Sequence, residues 1–315
     1  MNRVAWARRW SDRQASVDYA LSARKTAIAG TGKRSRAEQG MALRTLAWQA
    51  RWRGALDDAM GHCLSAETFL PESDHVEARA AIYSILGIIH FSRNRLDLAN
   101  CSVERGFWLL RDVPDTSVQE VMTDLLLTRA TIQRHSGEKA RAGITLGRAH
   151  ELALGEIANS VDYCTATWLL ADGDVEAAQS RALDALESAK SHGNRVILPY
   201  LQSVLGACEA KLGHTDAAVE HIKLGLTIAE ADDDMRAQCF LLREFARMEG
   251  DGDNTEQALQ HLRKAADIAK STGFAFERKR IALDLAALLE KMGHYKQSVD
   301  QHKLAWRLQS ETRVR

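Results

Sequence analysis

The chain has 315 residues, and its 42 Lys and Arg residues are balanced by 42 Asp and Glu residues. Because the formal net charge is zero, no overall field favours binding to nucleic acid or to an anionic membrane surface. Hydrophobic residues make up 45% and charged residues 27%, which supplies a core and a solvated surface and excludes a disordered chain. Only three prolines occur, so the composition favours helices over strands.

The N-terminal stretch MNRVAWARRWSDR lacks the apolar segment of a secretory signal. The longest apolar run, at 80–89, is too short to span a bilayer, so we expect no membrane contact and a cytoplasmic location. No C-x-x-C spacing occurs, which favours reduced, mostly buried thiols over disulfides or a zinc site. The five cysteines are Cys63, Cys101, Cys164, Cys208 and Cys239.

Residues 1–39 are predicted to form an N-terminal cap. A short helix over 4–10 and a longer one over 15–27 would make a partial hairpin, followed by GTGKRSR at 30–36 as a flexible basic loop. This segment carries nine Lys or Arg against three acids, so a nucleic-acid-binding regulator stays open as a distant alternative. The glycines before Lys33 lack the full phosphate-loop spacing, and we predict no nucleotide cofactor.

From residue 40 onwards a short sequence pattern repeats along the chain. A turn residue, usually Gly, is followed five residues later by a small residue that opens an amphipathic helix. A glycine supplies a backbone conformation that other side chains resist, and the small residue lets two helices approach closely. Each unit is therefore predicted to be a helical hairpin. Successive turn residues are spaced by 40, 43, 36, 40, 40 and 40 positions, at Gly54, Asn94, Gly137, Gly173, Gly213, Asp253 and Gly293.

The segments YSILGIIH (83–90) and SVLGACE (203–209) resemble the W-x2-L-G-x2-Y signature of the tetratricopeptide repeat (TPR) family. With a period near 40, the chain is most similar to TPR regulatory regions of bacterial transcription activators and diguanylate cyclases. The resemblance implies an all-α, right-handed α-solenoid of about seven and a half hairpins, seven of them complete over 40–310. It also implies a regulatory module that binds a peptide or protein in its concave groove, with a stand-alone scaffold or adaptor as the alternative.

In this family the first helix of each hairpin lines the concave groove. The corresponding positions hold eight Lys or Arg against Asp124, Asp251 and Glu290, and arginine beside aromatic rings suits an acidic, extended peptide. The alternative is that the tryptophans form core and the arginines a solvated face. We expect Arg44→Glu with Arg51→Glu to weaken a partner more than folding. The predicted groove residues are Arg44, Trp48, Arg51, Trp52, Phe91, Arg134, Tyr163, Tyr200, Arg243, Arg247 and Arg280.

No motif has the spacing of a hydrolase or a metalloenzyme, so neither enzymatic activity nor a metal is predicted. The acidic run from Asp232 to Asp234 lacks the other ligands of a calcium loop and is expected to begin a helix.

Residues 306–315 are predicted to continue as an exit helix without a Gly or Pro stop. Trp306 and Leu308 would then leave apolar surface without a following repeat to cover it. This ending favours a partner, a homodimer contact or a chain that runs on. By resemblance to TPR regions that pass into an output domain, a regulatory region is favoured over a scaffold.

Overall fold

The computed structural model describes residues 1–71, 74–251 and 254–310. Over these ranges it contains sixteen α-helices and no strand, which confirms the predicted all-α fold. The helices are α1 (Asn2–Arg8), α2 (Arg13–Ile28), α3 (Lys33–Trp52), α4 (Leu56–Phe69), α5 (Val76–Ser92), α6 (Leu96–Leu110), α7 (Asp115–His135), α8 (Lys139–Leu152), α9 (Glu156–Asp172), α10 (Val175–His192), α11 (Leu198–Lys211), α12 (Thr215–Ala231), α13 (Met235–Asp251), α14 (Thr255–Ser271), α15 (Ala275–Lys291) and α16 (Tyr295–Ser310).

Consecutive helices pack as hairpins, because a small residue lies where the two helices meet. In the α5–α6 hairpin, a Cβ on Gly87 would come within 3.1 Å of Val103 Cγ2, so a larger residue would push the two helices apart by a few tenths of an ångström. The small residues predicted five positions after each turn are all buried, as close helix contact requires. They are Ala59, Ala99, Ala142, Ala178, Ala218, Ala258 and Ser298.

The turns inside the hairpins have the predicted left-handed backbone. The φ angle lies between 57° and 95° at Gly54, Asn94, Gly137, Gly173, Gly213 and Gly293, whereas the seventh predicted turn residue, Asp253, lies outside the described residues. The turns that connect one hairpin to the next also contain a left-handed residue. The φ angles are 69°, 51° and 73° at Gly193, Asp233 and Gly273, which follow α10, α12 and α14. The later part of the chain therefore turns about every 20 residues.

Both ends of the chain differ from the sequence-based expectation. Helix α3 begins at Lys33, so Lys33–Arg36, predicted as loop, form its first turn after Gly32, which has a φ of 93°. At the other end Trp306 is 70% exposed, but Leu308 is buried. Leu308 shares a face of α16 with Ala305, three residues earlier, and this face packs on α15. Residues 311–315 of the predicted exit helix lie outside the described residues.

The helices group into two compact units. The first comprises Met1–Phe91, Leu96–Val161 and Ala189–Val196, and the second comprises Ser92–Arg95, Asp162–Ser188 and Ile197–Arg315. Fully buried aliphatic side chains such as Ile82 and Leu125 form the core of the first unit, and Leu201 and Phe274 lie in that of the second. Burial of each such side chain contributes about 1.5–3 kcal/mol.

Candidate functional site

In the first unit, tryptophan and arginine side chains of the N-terminal segment stack against α3. The Trp10 and Trp48 rings meet edge to face, with centroids 4.9 Å apart. The Trp6 ring lies between two guanidinium groups, since Cζ of Arg9 and Cζ of Arg44 are 3.9 and 3.7 Å from its centroid. Desolvated cation–π contacts of this kind contribute up to about 2 kcal/mol each. These contacts fix α1 on α3, and we call them the N-terminal cluster.

The N-terminal cluster buries positive charge. Desolvation, together with the charge of Arg44, lowers the pKa of Arg9 to about 9. Arg9 is compensated by an ion pair with Glu120 of α7. Desolvation also lowers the pKa of Arg44 to about 10, although Glu77 raises it in part. Among the described residues no carboxylate lies within ion-pair distance of the Arg44 guanidinium, and its contact with the Trp6 ring is the cation–π contact given above.

The N-terminal segment also reaches helices far from it in sequence. Trp10 Nε1 donates a hydrogen bond to Glu120 Oε1 at 3.3 Å. The Trp10 carbonyl oxygen accepts from the backbone N–H groups of Arg195 and Val196 at 3.0 and 3.3 Å. A small open cleft beside these contacts is lined by Trp10, Trp48, Ala81, Ile85, Glu120 and Asp124. The segment therefore lies across the first helices α3, α5 and α7.

In the second unit, three aromatic rings form a row across the first helices of successive hairpins. Tyr163 of α9, Tyr200 of α11 and Phe240 of α13 meet edge to face, with centroids 5.5 and 5.8 Å apart. The Tyr200 hydroxyl donates to Asp234 Oδ1 at 3.0 Å, and burial raises the pKa of Tyr163 to about 12. Tyr200 is buried, whereas Tyr163 and Phe240 are half-buried. We call these three residues the aromatic row.

Arginines and carboxylates of α13 and α15 flank the aromatic row. Arg243 is buried, and its Nη2 lies 2.7 Å from Asp284 Oδ2. Desolvation lowers the pKa of Arg243, but the carboxylates of Asp284 and Glu277 outweigh it and raise the pKa above its ordinary value. Arg247 pairs with Glu244 at 3.0 Å and lies 3.8 Å from Asp284 Oδ1, with 48% of its side chain exposed. Arg247 is therefore the accessible cation of this group.

Two further arginines stack on aromatic rings beside the row. Arg236 Cζ lies 5.4 Å from the Phe240 centroid. Arg280 Cζ lies 5.9 Å from the Phe276 centroid, and its Nη1 is 3.6 Å from Glu277 Oε2. Since 39% of the Arg280 side chain is exposed, this guanidinium can also be reached by a ligand.

The predicted groove residues are distributed over the two units. Phe91 is buried against the His135 ring at 4.9 Å, and Arg134 is half-buried on α7. The side chain of Asp251 lies outside the described residues. Five predicted residues belong to the aromatic row or its flanks, namely Tyr163, Tyr200, Arg243, Arg247 and Arg280, and four belong to the N-terminal cluster, namely Arg44, Trp48, Arg51 and Trp52.

The burial of Arg44 and Arg51 argues against our expectation that Arg44→Glu with Arg51→Glu weakens a partner more than folding. Both arginines are buried, and Cζ of Arg51 lies 5.3 and 5.0 Å from the centroids of Trp48 and Trp52. Two carboxylates at these positions would be buried among aromatic rings, which strongly destabilises a fold.

Sequence reasoning missed the functional contacts of Trp6, Arg9 and Trp10. One signal could have found them: W-x-x-R-W occurs at 6–10 and again at 48–52. The two copies pack on one another in the N-terminal cluster. Arg236 was also missed, because it precedes the first helical position counted in its repeat.

The acidic run before α13 is structural. Asp234 is buried and accepts a hydrogen bond from the backbone N–H of Ala237 at 2.9 Å, which confirms that it begins the helix. Over the ranges that the structure describes, no group of three or more His, Cys, Asp or Glu side chains could hold a metal ion. None of the helices in those ranges is long and apolar enough to cross a membrane.

No protein-family model matches the chain. No curated protein matches it either. Among solved structures, a Rap protein complexed with competence and sporulation factor aligns with a TM-score of 0.69 and 14% identity, covering 95% of this chain and 80% of that one. The Rap conjugation gene regulator of plasmid pLS20, in complex with the Phr* peptide, aligns with a TM-score of 0.67 and 13% identity, covering 89% and 76%.

The apo form of the quorum sensor NprR from B. thuringiensis aligns with a TM-score of 0.58 and 14% identity, covering 98% of this chain and 85% of that one. These neighbours have TPR-like helical repeats, and the likeness confirms the predicted TPR-like fold. At such low identity it shows the fold alone.

Proposed function

We propose that this chain is a regulatory module that binds a short peptide along the aromatic row of the second unit. The observation that carries the proposal is the row itself, in which three rings line up on the first helices of consecutive hairpins with accessible guanidinium groups beside them. Structures of the same fold in complex with competence and sporulation factor and with the Phr* peptide support it.

The spacing of the rings suits an extended peptide. Side chains on the same side of an extended chain are about 6.8 Å apart, roughly 1 Å more than the ring-to-ring steps of 5.5 and 5.8 Å, so a peptide could contact the two half-buried end rings. Half-buried aromatic rings provide apolar anchors that lose little conformational entropy on binding. The exposed side chains of Arg247 and Arg280 provide positive charge for a peptide carboxylate. A guanidinium group can bind a carboxylate through two parallel hydrogen bonds. We therefore infer a ligand with alternating apolar side chains and at least one acid.

We infer that the module binds its ligand without chemical change. A catalytic thiol needs a lowered pKa, because the thiolate is the nucleophile. Burial instead raises the pKa of Cys208 to about 11, and it also raises those of Cys63 and Cys239. The phenol of Tyr163 in the aromatic row is likewise held neutral by its raised pKa.

The test is selection of a random peptide display library against the full chain, followed by fluorescence anisotropy with the enriched peptides. Phe240→Ala removes a half-buried ring at one end of the row and should weaken binding at least tenfold, as expected for an aromatic anchor. Leu224→Ala is the matched control, since Leu224 is a 50% exposed apolar residue of the second helix α12. Equal weakening in both variants, or failure to enrich any peptide, would contradict the proposal.

The charge preference is tested separately. Arg280→Glu should abolish the preference for acidic peptides, whereas Arg263→Glu, an exposed arginine of α14, should leave it unchanged. If Arg280→Glu leaves the preference for acidic peptides unchanged, the ligand contacts the aromatic rings and not Arg280.

A further inference from the structure

The N-terminal segment occupies a groove of the first unit in the manner of a bound peptide. Its contacts are made by three different chemical groups. The Trp10 ring packs on Trp48, the Arg9 guanidinium pairs with Glu120, and the Trp10 carbonyl accepts two backbone hydrogen bonds. An apolar anchor, a charge pair and main-chain hydrogen bonds are the elements by which extended peptides are recognised.

The groups that receive the segment come from distant parts of the chain. Trp48 belongs to α3 and Glu120 to α7, while the N–H groups of Arg195 and Val196 follow α10. A shallow cleft beside the segment is lined by the segment's own Trp6, Arg9 and Trp10 together with residues of α3, α5, α7 and α9. Helix α1 itself has only seven residues, and a helix of this length has little stability of its own. A short segment received by groups from distant helices is consistent with a binding site for a peptide.

We propose that this groove is a second peptide-binding site, filled in this structure by the chain's own residues Trp6–Ser11, and that its external ligand is a basic, aromatic peptide of the Trp-x-x-Arg-Trp type. The ligand's arginine would take the place of Arg9 beside Glu120. Its last tryptophan would take the place of Trp10 on Trp48, with the following carbonyl on the N–H groups of Arg195 and Val196. This site uses none of the residues of the aromatic row, so the two proposals stand or fall separately.

The covalently attached residues Trp6–Ser11 affect the affinity that is measured for an added peptide. A tethered ligand acts at an effective concentration of the order of millimolar, so an added peptide must compete with it. The apparent affinity of the unaltered protein is reduced by the fraction of molecules in which the groove is vacant. Weakening the resident segment should therefore increase the affinity for an added peptide, which is opposite to the effect of damaging a binding surface.

The experiment titrates the fluorescein-labelled peptide VAWARRWSDR, the sequence of residues 4–13, into the full chain. Arg9→Ala with Trp10→Ala in the protein should tighten peptide binding at least tenfold. Adding Glu120→Gln to this variant should weaken it again, because the partner of the peptide's arginine is lost. A peptide with Ala at the positions of Arg9 and Trp10 is the control and should bind at least tenfold less tightly. Unchanged affinity, or equal binding of the control peptide, overturns the proposal.

A disulfide that holds the N-terminal segment in the groove tests the proposal even if the Arg9→Ala, Trp10→Ala variant fails to fold. A Cβ on Gly193 would lie 4.0 Å from the Ser11 Cβ, within the 3.5–4.5 Å range of disulfides. Because φ is 69° at Gly193, a cysteine there is strained, so circular dichroism first checks that the reduced variant is folded. In a chain with the exposed Cys101 changed to Ser, Ser11→Cys with Gly193→Cys should exclude the peptide when oxidised and admit it after reduction. Equal binding in both states overturns the proposal. A wild-type dimer that the oxidised lock makes monomeric would assign the groove to the N-terminal segment of a second copy and overturn the peptide ligand.

Discussion

Replacement of Arg44 by Met is expected to stabilise the fold, because Arg44 carries a buried charge without a carboxylate partner. Its side chain is 3% exposed, and its Nε is buried without a hydrogen bond. Methionine has a similar length and no branching, and its thioether makes a favourable contact with an aromatic ring. Arg44→Met should therefore keep the packing on Trp6 while it removes the charge.

The size of the effect follows from two opposing contributions. Desolvation lowers the pKa of Arg44 from its ordinary value to about 10, so the charged form is disfavoured in the folded state by roughly 3 kcal/mol. The substitution loses the cation–π contact with Trp6, worth up to about 2 kcal/mol, and regains about 1 kcal/mol through the sulfur–aromatic contact. Desolvation prevails, and the free energy of unfolding should rise by about 1–2 kcal/mol.

Thermal unfolding followed by circular dichroism measures this prediction. A gain of 1 kcal/mol raises the midpoint by about 2–4 °C in chains of a few hundred residues. The control is Arg263→Met, at an exposed position of α14, which should leave the midpoint unchanged within about 1 °C. A lower midpoint for Arg44→Met would refute the reasoning, since it would mean that the charge of Arg44 stabilises the fold.

Three further predictions concern the second unit and the repeats. Gly206→Ala should lower the free energy of unfolding by about 2 kcal/mol, because a Cβ there would lie 2.7 Å from Ile222 Cδ1. A Cβ on Gly147 would meet no atom within 4 Å, so Gly147→Ala should raise the free energy of unfolding by about 1 kcal/mol. Equal urea midpoints of the two variants would contradict this. Asp233→Gly should stabilise by about 1 kcal/mol, since φ is 51° at this residue, and a loss of stability would show that the Asp233 side chain matters more than its backbone. Because burial raises the pKa of Tyr163 to about 12, the unfolded chain loses this proton first, so urea midpoints should fall as the pH rises from about 10 to 12, and less steeply in Tyr163→Phe. Parallel pH profiles of the two proteins would count against a buried phenol.

The hairpins could be predicted because their determinants are local. A left-handed turn residue and a small residue five positions later recur in sequence, and each meets a geometric need of two helices in contact. The turns between hairpins were not predicted as left-handed. The left-handed residues of these turns vary, with Gly at 193 and 273 but Asp at 233, so no single sequence pattern identifies them.

The two candidate sites could be predicted only in part, because their contacts join residues far apart in sequence. Periodicity placed Arg243 on the first-helix face, but its partner Asp284 lies 41 residues later at a position outside those counted. A count of charges on one face therefore overstated its basic excess. Likewise, no local pattern indicates that the carbonyl of Trp10 meets the N–H groups of Arg195 and Val196.

The central claim is that peptide ligands lie along the aromatic row, and photo-cross-linking tests it most directly. Benzoylphenylalanine in place of Phe240 should cross-link to a selected peptide on irradiation, and unlabelled peptide should compete. The same group in place of Leu224 on α12 should give no cross-link. Cross-linking from position 224 but not from position 240 would contradict the claim.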